Sequence, residues 1–225
     1  MIYKCLDLLN QLKNLLRNTR VIRSLYYSFK FFLFLLKLRV FKLRRKDLRL
    51  IIGSSSTTQA GWISSESLWL DILQPTDWQK YFEVNTIDAL LAEHVFEHIE
   101  PELLVHALDQ IFLYLRPGGY IRIAVPDGNH PDDSYIREVK PGGTGPGATD
   151  HKVLYDFKTL SEMFVSAGFT VDLLEYFDSE HIFHRKNWDV SDGYVARSLK
   201  FDQRNFNATP NYSSIILDAA KPTVG

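Results

Sequence analysis

Residues 86–127, TIDALLAEHVFEHIEPELLVHALDQIFLYLRPGGYIRIAVPD, switch between two structural periods in an order that few folds accommodate. Ile87, Ala89, Leu90, Leu91 and Ala92 make a short apolar run, suited to a strand buried on both faces. Leu103, Leu104, Ala107, Ile111, Leu113 and Leu115 then recur at helical spacing among Glu102, Asp109 and Gln110. Pro117, Gly118 and Gly119 are expected to stop that helix, because proline cannot donate and glycine tolerates positive φ. Residues 120–125 form a second apolar run, left through Pro126 and Asp127. The pattern predicts a βαβ unit with a carboxylate at each strand exit, Glu93 and Asp127. Open α/β sheets bind ligands just outside those carboxyl ends.

The chain of 225 residues is long enough for one such domain plus an appendage, and the charge divides it in the same way. Residues 1–46 carry twelve Lys and Arg against the single acid Asp7; the remainder carries fourteen against twenty-six. Two parts of opposite charge are expected to have different partners. The first part lacks Gly and Pro, so helix is the expectation. Leu9, Leu12 and Leu16, widened by Leu8 and Leu15, form an apolar stripe, and residues 25–41 turn aromatic. Lys30 and Lys37 confine the uncharged run to residues 31–36, far short of the roughly 20 apolar residues a spanning helix needs. A basic amphipathic arm on an anionic membrane surface fits this pattern, with residues 42–46 at the headgroups. Packing on the domain or on a second subunit is the plainer alternative; nucleic acid or organelle targeting is disfavoured. One cysteine, Cys5, excludes an internal disulfide and suits a cytoplasmic protein, peripheral on the inner membrane surface if the arm binds lipid.

Three further segments carry polar groups at positions where an α/β domain builds sites. Residues 48–53, LRLIIG, read as the first buried strand, ending at Gly53 and followed by the hydroxyl-rich turn SSSTTQ. Residues 94–98, HVFEH, match H-x-x-E-H, a zinc-peptidase signature that requires a helix through the motif. The strand pattern before it puts His94 at a strand exit instead, which argues against that chemistry. A long loop then runs from Asp127 to Asp150, His151 and Lys152, before a predicted helix over 157–167; its glycines and prolines suggest that it carries no core. Asp150 is the expected cap of that helix. His151 is the first candidate for a base working near neutral pH, with Asp127 and His94 behind it, and a loop-ordering role is the alternative.

The order EHVFEH, amphipathic helix, LRPGGYIRIAVPD resembles the second half of a class I S-adenosylmethionine (SAM)-dependent methyltransferase. The likeness covers residues 48–222 and is strongest over 93–127. Within that superfamily the chain resembles small bacterial methyltransferases, of the type 11 kind, that are often encoded near surface-polysaccharide genes. The resemblance implies a Rossmann-like, mostly parallel seven-stranded sheet whose last strand, residues 213–220, is antiparallel. It implies SAM as cofactor. Gly53, Ser54 and Ser55 would form the loop at the methionine portion, where the family usually has more glycines, with Glu93 and His94 lining that end. GWISSE, residues 61–66, resembles the segment whose last carboxylate binds the ribose hydroxyls, here Glu66. Residues 68–72 resemble the third strand and its exit, with Asp71 at the adenine amino group and Ile72 over the ring. A surface acid is the alternative reading of Glu66, and a solvated loop acid that of Asp71. Glu97 and His98 are expected to be structural, and no metal is implied.

These readings predict a basic helical arm, 1–46, ahead of a methyltransferase-like domain, 47–225. The implied activity is methyl transfer to oxygen on a sugar or another small glycan-linked acceptor. The alternative is a catalytically degenerate SAM-binding module, suggested by the sparse glycine loop and by a gap from Gly53 to Glu66 too short for a full first helix. Oligomeric state is left open.

Overall fold

The computed structural model describes residues 20–44, 47–55 and 57–223. The chain divides into two compact units, Met1–Arg45 and Lys46–Gly225. The stripe of Leu9, Leu12 and Leu16 lies outside the described residues.

In the first unit, helix α1 spans Arg20–Arg44. Its apolar residues fall on two faces. Phe34 and Leu38 are buried, whereas Leu25, Phe29, Phe32, Leu36, Val40 and Leu43 recur every three or four residues and are exposed. Among the described residues no helix is long and apolar enough to cross a membrane.

The second unit is built on a seven-stranded sheet: β1 (Arg49–Ile52), β2 (Ile63–Ser64), β3 (Ile87–Glu93), β4 (Leu115–Pro126), β5 (Thr170–Phe177), β6 (Phe183–Arg185) and β7 (Ser214–Ala220). The spatial order is β2-β1-β3-β4-β7-β5-β6. The first four strands are mutually parallel, β7 runs antiparallel between β4 and β5, and β6 pairs antiparallel with β5. From β1 the chain moves outward to β2, then returns to place β3 on the other side of β1. The sheet therefore has its switch point between the carboxyl ends of β1 and β3, where a crevice opens in folds of this kind.

Helix α2 spans Pro75–Tyr81, and α3 spans Pro101–Tyr114. The buried stripe of α3 is Leu104, Ala107, Leu108 and Ile111; Leu103 and Leu113, expected in it, are substantially exposed. The helix ends before Pro117. Pro117, Gly118 and Gly119 lie within β4 instead, at an irregularity in its pairing with β3. A Cβ on Gly119 would stand 2.9 Å from the Ile87 carbonyl oxygen, so glycine is what permits the two backbones to approach there.

Three expectations are corrected. Residues 68–72 form no strand: the Trp69 and Leu70 amides both close on the Glu66 carbonyl, at 3.1 and 3.0 Å, which curls the chain into a turn. With that strand absent, the sheet reaches seven strands through the short β6, which pairs antiparallel with β5. The long loop does carry core, through Tyr135 and Val139 of the short helix α4 (Asp133–Val139) and through Tyr155. Helix α5, Phe157–Ser166, is capped by Asp156, whose carboxylate accepts from the Lys158 and Thr159 amides; Asp150 is not the cap.

One face of the sheet, carrying Ile51, Leu91, Ala124 and Ile216, is packed by Trp62 and Val195. Residues 186–205 are fastened to this face by Arg122, which is 2% exposed. Its guanidinium donates to both carboxylate oxygens of Asp218 at 2.8 and 2.7 Å, donates to the Asp189 and Gly193 carbonyls, and lies over the Trp188 ring. A buried arginine is tolerable only when paired and bonded in this way.

Candidate functional site

The carboxyl ends of β1 and β3 open into a cleft with two arms. One, of about 340 Å³, is lined by Ile52, Leu70, Ile72, Val95 and Ile99 with Glu66 and Asp71 among them. The other, of about 210 Å³, is lined chiefly by polar groups, including Ser54, Thr57, Glu93, Glu97, His151 and Arg197. Gly53, His94 and His98 border both.

Gly53 turns the chain at the end of β1 with φ +58°, and a Cβ there would meet Val95 Cγ2 at 2.8 Å. Both the backbone angle and the contact require glycine. Ser54 follows it, buried, and donates its hydroxyl to Glu66 at 3.2 Å. Ser55, also at positive φ, is exposed on the rim. Glu66 thus sits with its carboxylate at the mouth of the apolar arm. Asp71 lies further along, where one oxygen accepts from the Leu73 amide at 3.0 Å and orders the turn that replaces the missing strand. Ile72, 4% exposed, lines the same arm.

At the exit of β3, Glu93 accepts from the Arg197 amide at 2.8 Å, with the Arg197 guanidinium 3.7 Å away. His94 adopts φ +52°, a strained conformation for a residue with a side chain. The turn is held by its amide on the Ala124 carbonyl and by its ring, whose Nε2 lies 3.1 Å from Ser214 Oγ and whose Nδ1 lies 3.0 Å from Glu97 Oε1. Both ring nitrogens are therefore engaged, which leaves His94 unsuited to act as a base. Phe96–His98 is a single 3-10 turn, so His94 and His98 do not share a helix face and the H-x-x-E-H peptidase arrangement is not formed.

Glu97 is fully buried, and beyond the short His94 contact neither carboxylate oxygen finds a side-chain hydrogen-bond partner. Burial raises its proton affinity, but the bond and charge of His94 outweigh it and hold the carboxyl below its ordinary range. Beside it lies His151, 9% exposed, with Nε2 3.9 Å from Glu97 Oε1. The His151 Nδ1 lies 2.6 Å from the Val139 carbonyl, which can only accept, so Nδ1 carries the hydrogen and the neutral ring presents its lone pair at Nε2. The two segments are stapled together: the Lys152 amide donates to the Glu97 carbonyl at 2.7 Å. The His98 ring meets His151 edge to face at 4.8 Å.

Asp127 is not part of the cleft. It is fully buried, accepting from the Asn129 amide at 2.9 Å and the Phe177 amide at 2.7 Å. Burial pushes its pKa up to about 6 against the pull of those two bonds. Its position after β4 resembles that of Glu93 after β3, but its side chain turns inward to tie the loop to β5.

Residues 178–206 contribute Arg197 to the cleft. They also form a separate hollow of about 360 Å³ with Trp188, Phe201, Lys186, Asn205 and Glu175. Sequence reasoning missed Val95 and Arg197 and took Glu97 and His98 as structural. Arg197 had no local signal. Glu97 did, in standing next to Phe96 between two histidines, since a glutamate in apolar surroundings is rare unless paired.

No protein-family model and no curated protein matches the chain. Solved structures similar to it include a SAM-dependent methyltransferase from Archaeoglobus fulgidus, 14% identical, over 84% of this chain and 94% of that one, with a TM-score of 0.44. A SAM-dependent methyltransferase from Methanosarcina mazei is 10% identical over 80% and 94%, with a TM-score of 0.46. The 1,6-didemethyltoxoflavin-N1-methyltransferase of Burkholderia thailandensis is 14% identical over 81% and 74%, at 0.43. The strand order, the switch point between β1 and β3 and the reversed β7 themselves show that the second unit has a Rossmann-like α/β fold.

Proposed function

We propose that the protein is a SAM-dependent methyltransferase acting on a small acceptor, with a hydroxyl of a sugar or glycan-linked molecule as the preferred class. The observation that carries this reading is the two-armed cleft at the switch point, apolar with paired carboxylates on one side and polar on the other. The residues present fit the cofactor. The apolar arm suits a purine between Ile72 and Val95, Glu66 suits a vicinal diol, and Gly53 keeps a side chain away from the backbone that must approach the ligand. Bound there, SAM supplies an activated methyl group to an in-line displacement.

The chain's part in that displacement is orientation and proton handling. Glu93 and Arg197 shape the polar arm, and their mutual bond fixes the loop that closes it. His151, ordered through Nδ1, presents its Nε2 lone pair beside Glu97 at the wall of the polar arm and is the base in this reading. The polar character of that arm favours a hydroxyl acceptor over an apolar one.

Calorimetry with SAM and S-adenosylhomocysteine tests the core of the proposal. Micromolar binding that Glu66→Ala weakens at least tenfold is expected. Absence of binding at millimolar ligand would remove the cofactor assignment. Tight binding with no turnover across hydroxyl acceptors would favour the degenerate module.

A peripheral membrane role for residues 1–46 belongs to the same proposal. It is supported by the exposed stripe of Leu25, Phe29, Phe32, Leu36, Val40 and Leu43 on a helix that also carries Lys30, Lys37 and Lys42. Co-sedimentation with anionic vesicles, abolished by salt and by Phe29→Ser with Phe32→Ser, is the expected result. Indifference to lipid would refute it.

A further inference from the structure

Three observations meet at one corner of the polar arm. Glu97 is a fully buried carboxylate whose oxygens, apart from the His94 contact on Oε1, find no side-chain hydrogen-bond partner. The His98 Nδ1 is likewise buried without a hydrogen-bond partner, its nearest acid being Asp150 at 3.7 Å. His151 donates its outer nitrogen to the Val139 carbonyl and turns the other toward Glu97. One ligand-capable atom from each of Glu97, His98 and His151 lies within 4.8 Å of the others.

Burying an ionised carboxylate costs several kcal/mol unless a cation or strong donors compensate it; His94 does so at Oε1 alone, which leaves lone pairs of Glu97 for a second cation. Leaving an imidazole nitrogen unpaired beside it adds to that cost. A histidine whose second nitrogen is fixed on a backbone carbonyl is the usual arrangement around a bound metal, because the bond sets both tautomer and ring orientation. Here the same backbone staple, Lys152 to Glu97, brings together residues more than fifty positions apart. We infer that Glu97, His98 and His151 hold a divalent first-row transition-metal ion, with its open coordination positions facing the cleft beside Ser54, Thr57 and Arg197. Two imidazoles and one carboxylate suit zinc and its neighbours and leave room for an oxygen ligand from solvent or acceptor. Tetrahedral bonds of about 2.0–2.1 Å require ligand separations of about 3.4 Å, compared with the 4.8 Å within which these atoms lie.

This departs from the metal-free site that the sequence implies. It differs from the peptidase motif too, since His94 is not a ligand but orients Glu97 from behind. In a loaded protein the Nε2 lone pair of His151 binds metal; in a metal-free protein it is available as a base. The inference does not rest on methyl transfer, because the metal is measured without cofactor or acceptor.

The test uses the full chain, stripped with chelator and titrated with Zn²⁺ by calorimetry and with Co²⁺ by visible absorption. One equivalent of Zn²⁺ at micromolar affinity or better is expected, with the ligand-field bands of four- or five-coordinate Co²⁺. His98→Ala and Glu97→Gln should each weaken Zn²⁺ binding by roughly 100-fold and abolish those bands. His106→Ala, on the exposed side of α3, should leave both intact. Melting curves without metal identify any variant that fails to fold. His98 is part-exposed, so His98→Ala keeps the test open if Glu97→Gln unfolds. No Zn²⁺ binding at about 100 micromolar, or binding equal in His98→Ala and His106→Ala, would overturn the inference. Either result leaves the SAM titration to stand or fall separately.

Discussion

Glu97 and Asp127 are both fully buried carboxylates, each close to the exit of one of two adjacent parallel strands, yet they are solved in opposite ways. Asp127 is satisfied by the protein itself, with one backbone amide on each oxygen. Glu97 has an imidazole at 3.0 Å, a second at 3.9 Å, and no amide from any other described residue. Burial lifts the proton affinity of Asp127, whereas His94 holds Glu97 ionised despite burial. A carboxylate whose lone pairs are filled by backbone is a fastener. One buried at the wall of a cleft with imidazoles in place of distant backbone amides keeps lone pairs for something that arrives later. A carboxylate at a strand exit, as a sequence pattern, does not separate the two.

The comparison can be broken most sharply at the metal cluster. Glu97→Gln should lose roughly 100-fold in Zn²⁺ affinity, equivalent to about 2.7 kcal/mol, while Asp127→Asn leaves that affinity unchanged. On stability the order inverts. Asp127→Ala strips the acceptor from two buried amides and should cost about 2–4 kcal/mol, read as a fall in the metal-free melting temperature of roughly 6–12 °C. Glu97→Gln should lower it less, since the variant loses the charge contact with His94 together with the cost of burying that charge.

Proton linkage sharpens the same contrast. Asp127 titrates near its ordinary value of 3.8 when unfolded and near 6 when folded, so between those values the native state keeps a proton that the unfolded chain has lost. Stability from this group is therefore highest below about pH 4 and falls as pH rises toward 6, by about 3 kcal/mol in all. Urea unfolding across that range should show the decline in the parent and its loss in Asp127→Asn. Glu97 has the opposite sign: its contribution is present above the unfolded pKa and is lost as pH falls through the lower folded one. The smallest effect is expected at Ser214→Ala. Removing the partner of His94 Nε2 should cost about 1 kcal/mol and weaken Zn²⁺ binding only a few-fold, because the ring remains in place against Glu97. An effect as large as that of His98→Ala would mean that His94 is itself a ligand.

Much of the frame was legible in the chain. The apolar runs of β1, β3, β4 and β7, the helical period of α3 and α5, and the glycine after β1 are local patterns whose meaning depends on residues within a turn or two. The site was legible only in part. Gly53, Glu66, Glu93, His94 and His151 do border the cleft, because each stands where a strand or a connecting loop must end at the switch point. Residues 68–72 failed as a strand although their composition suited one, since the two amides after Glu66 found a nearer carbonyl than any neighbouring strand could offer. Asp127 failed as a site residue because nothing local indicates whether a side chain at a strand exit turns out to solvent or in toward an amide fifty residues away.

What the sequence by itself determined is therefore the alternation of strands and helices, the places where the backbone must turn on glycine, and the opposite charge of the two parts. Only the tertiary structure decided which polar groups meet. Glu97 and His151 are neighbours because the Lys152 amide closes on the Glu97 carbonyl, and Arg197 reaches Glu93 because Arg122 fastens residues 186–205 to the sheet. Periodicity reports which side of an element faces apolar surroundings. It carries no information about which distant backbone group will satisfy a buried donor or acceptor, and in this domain those long-range bonds position the chemistry.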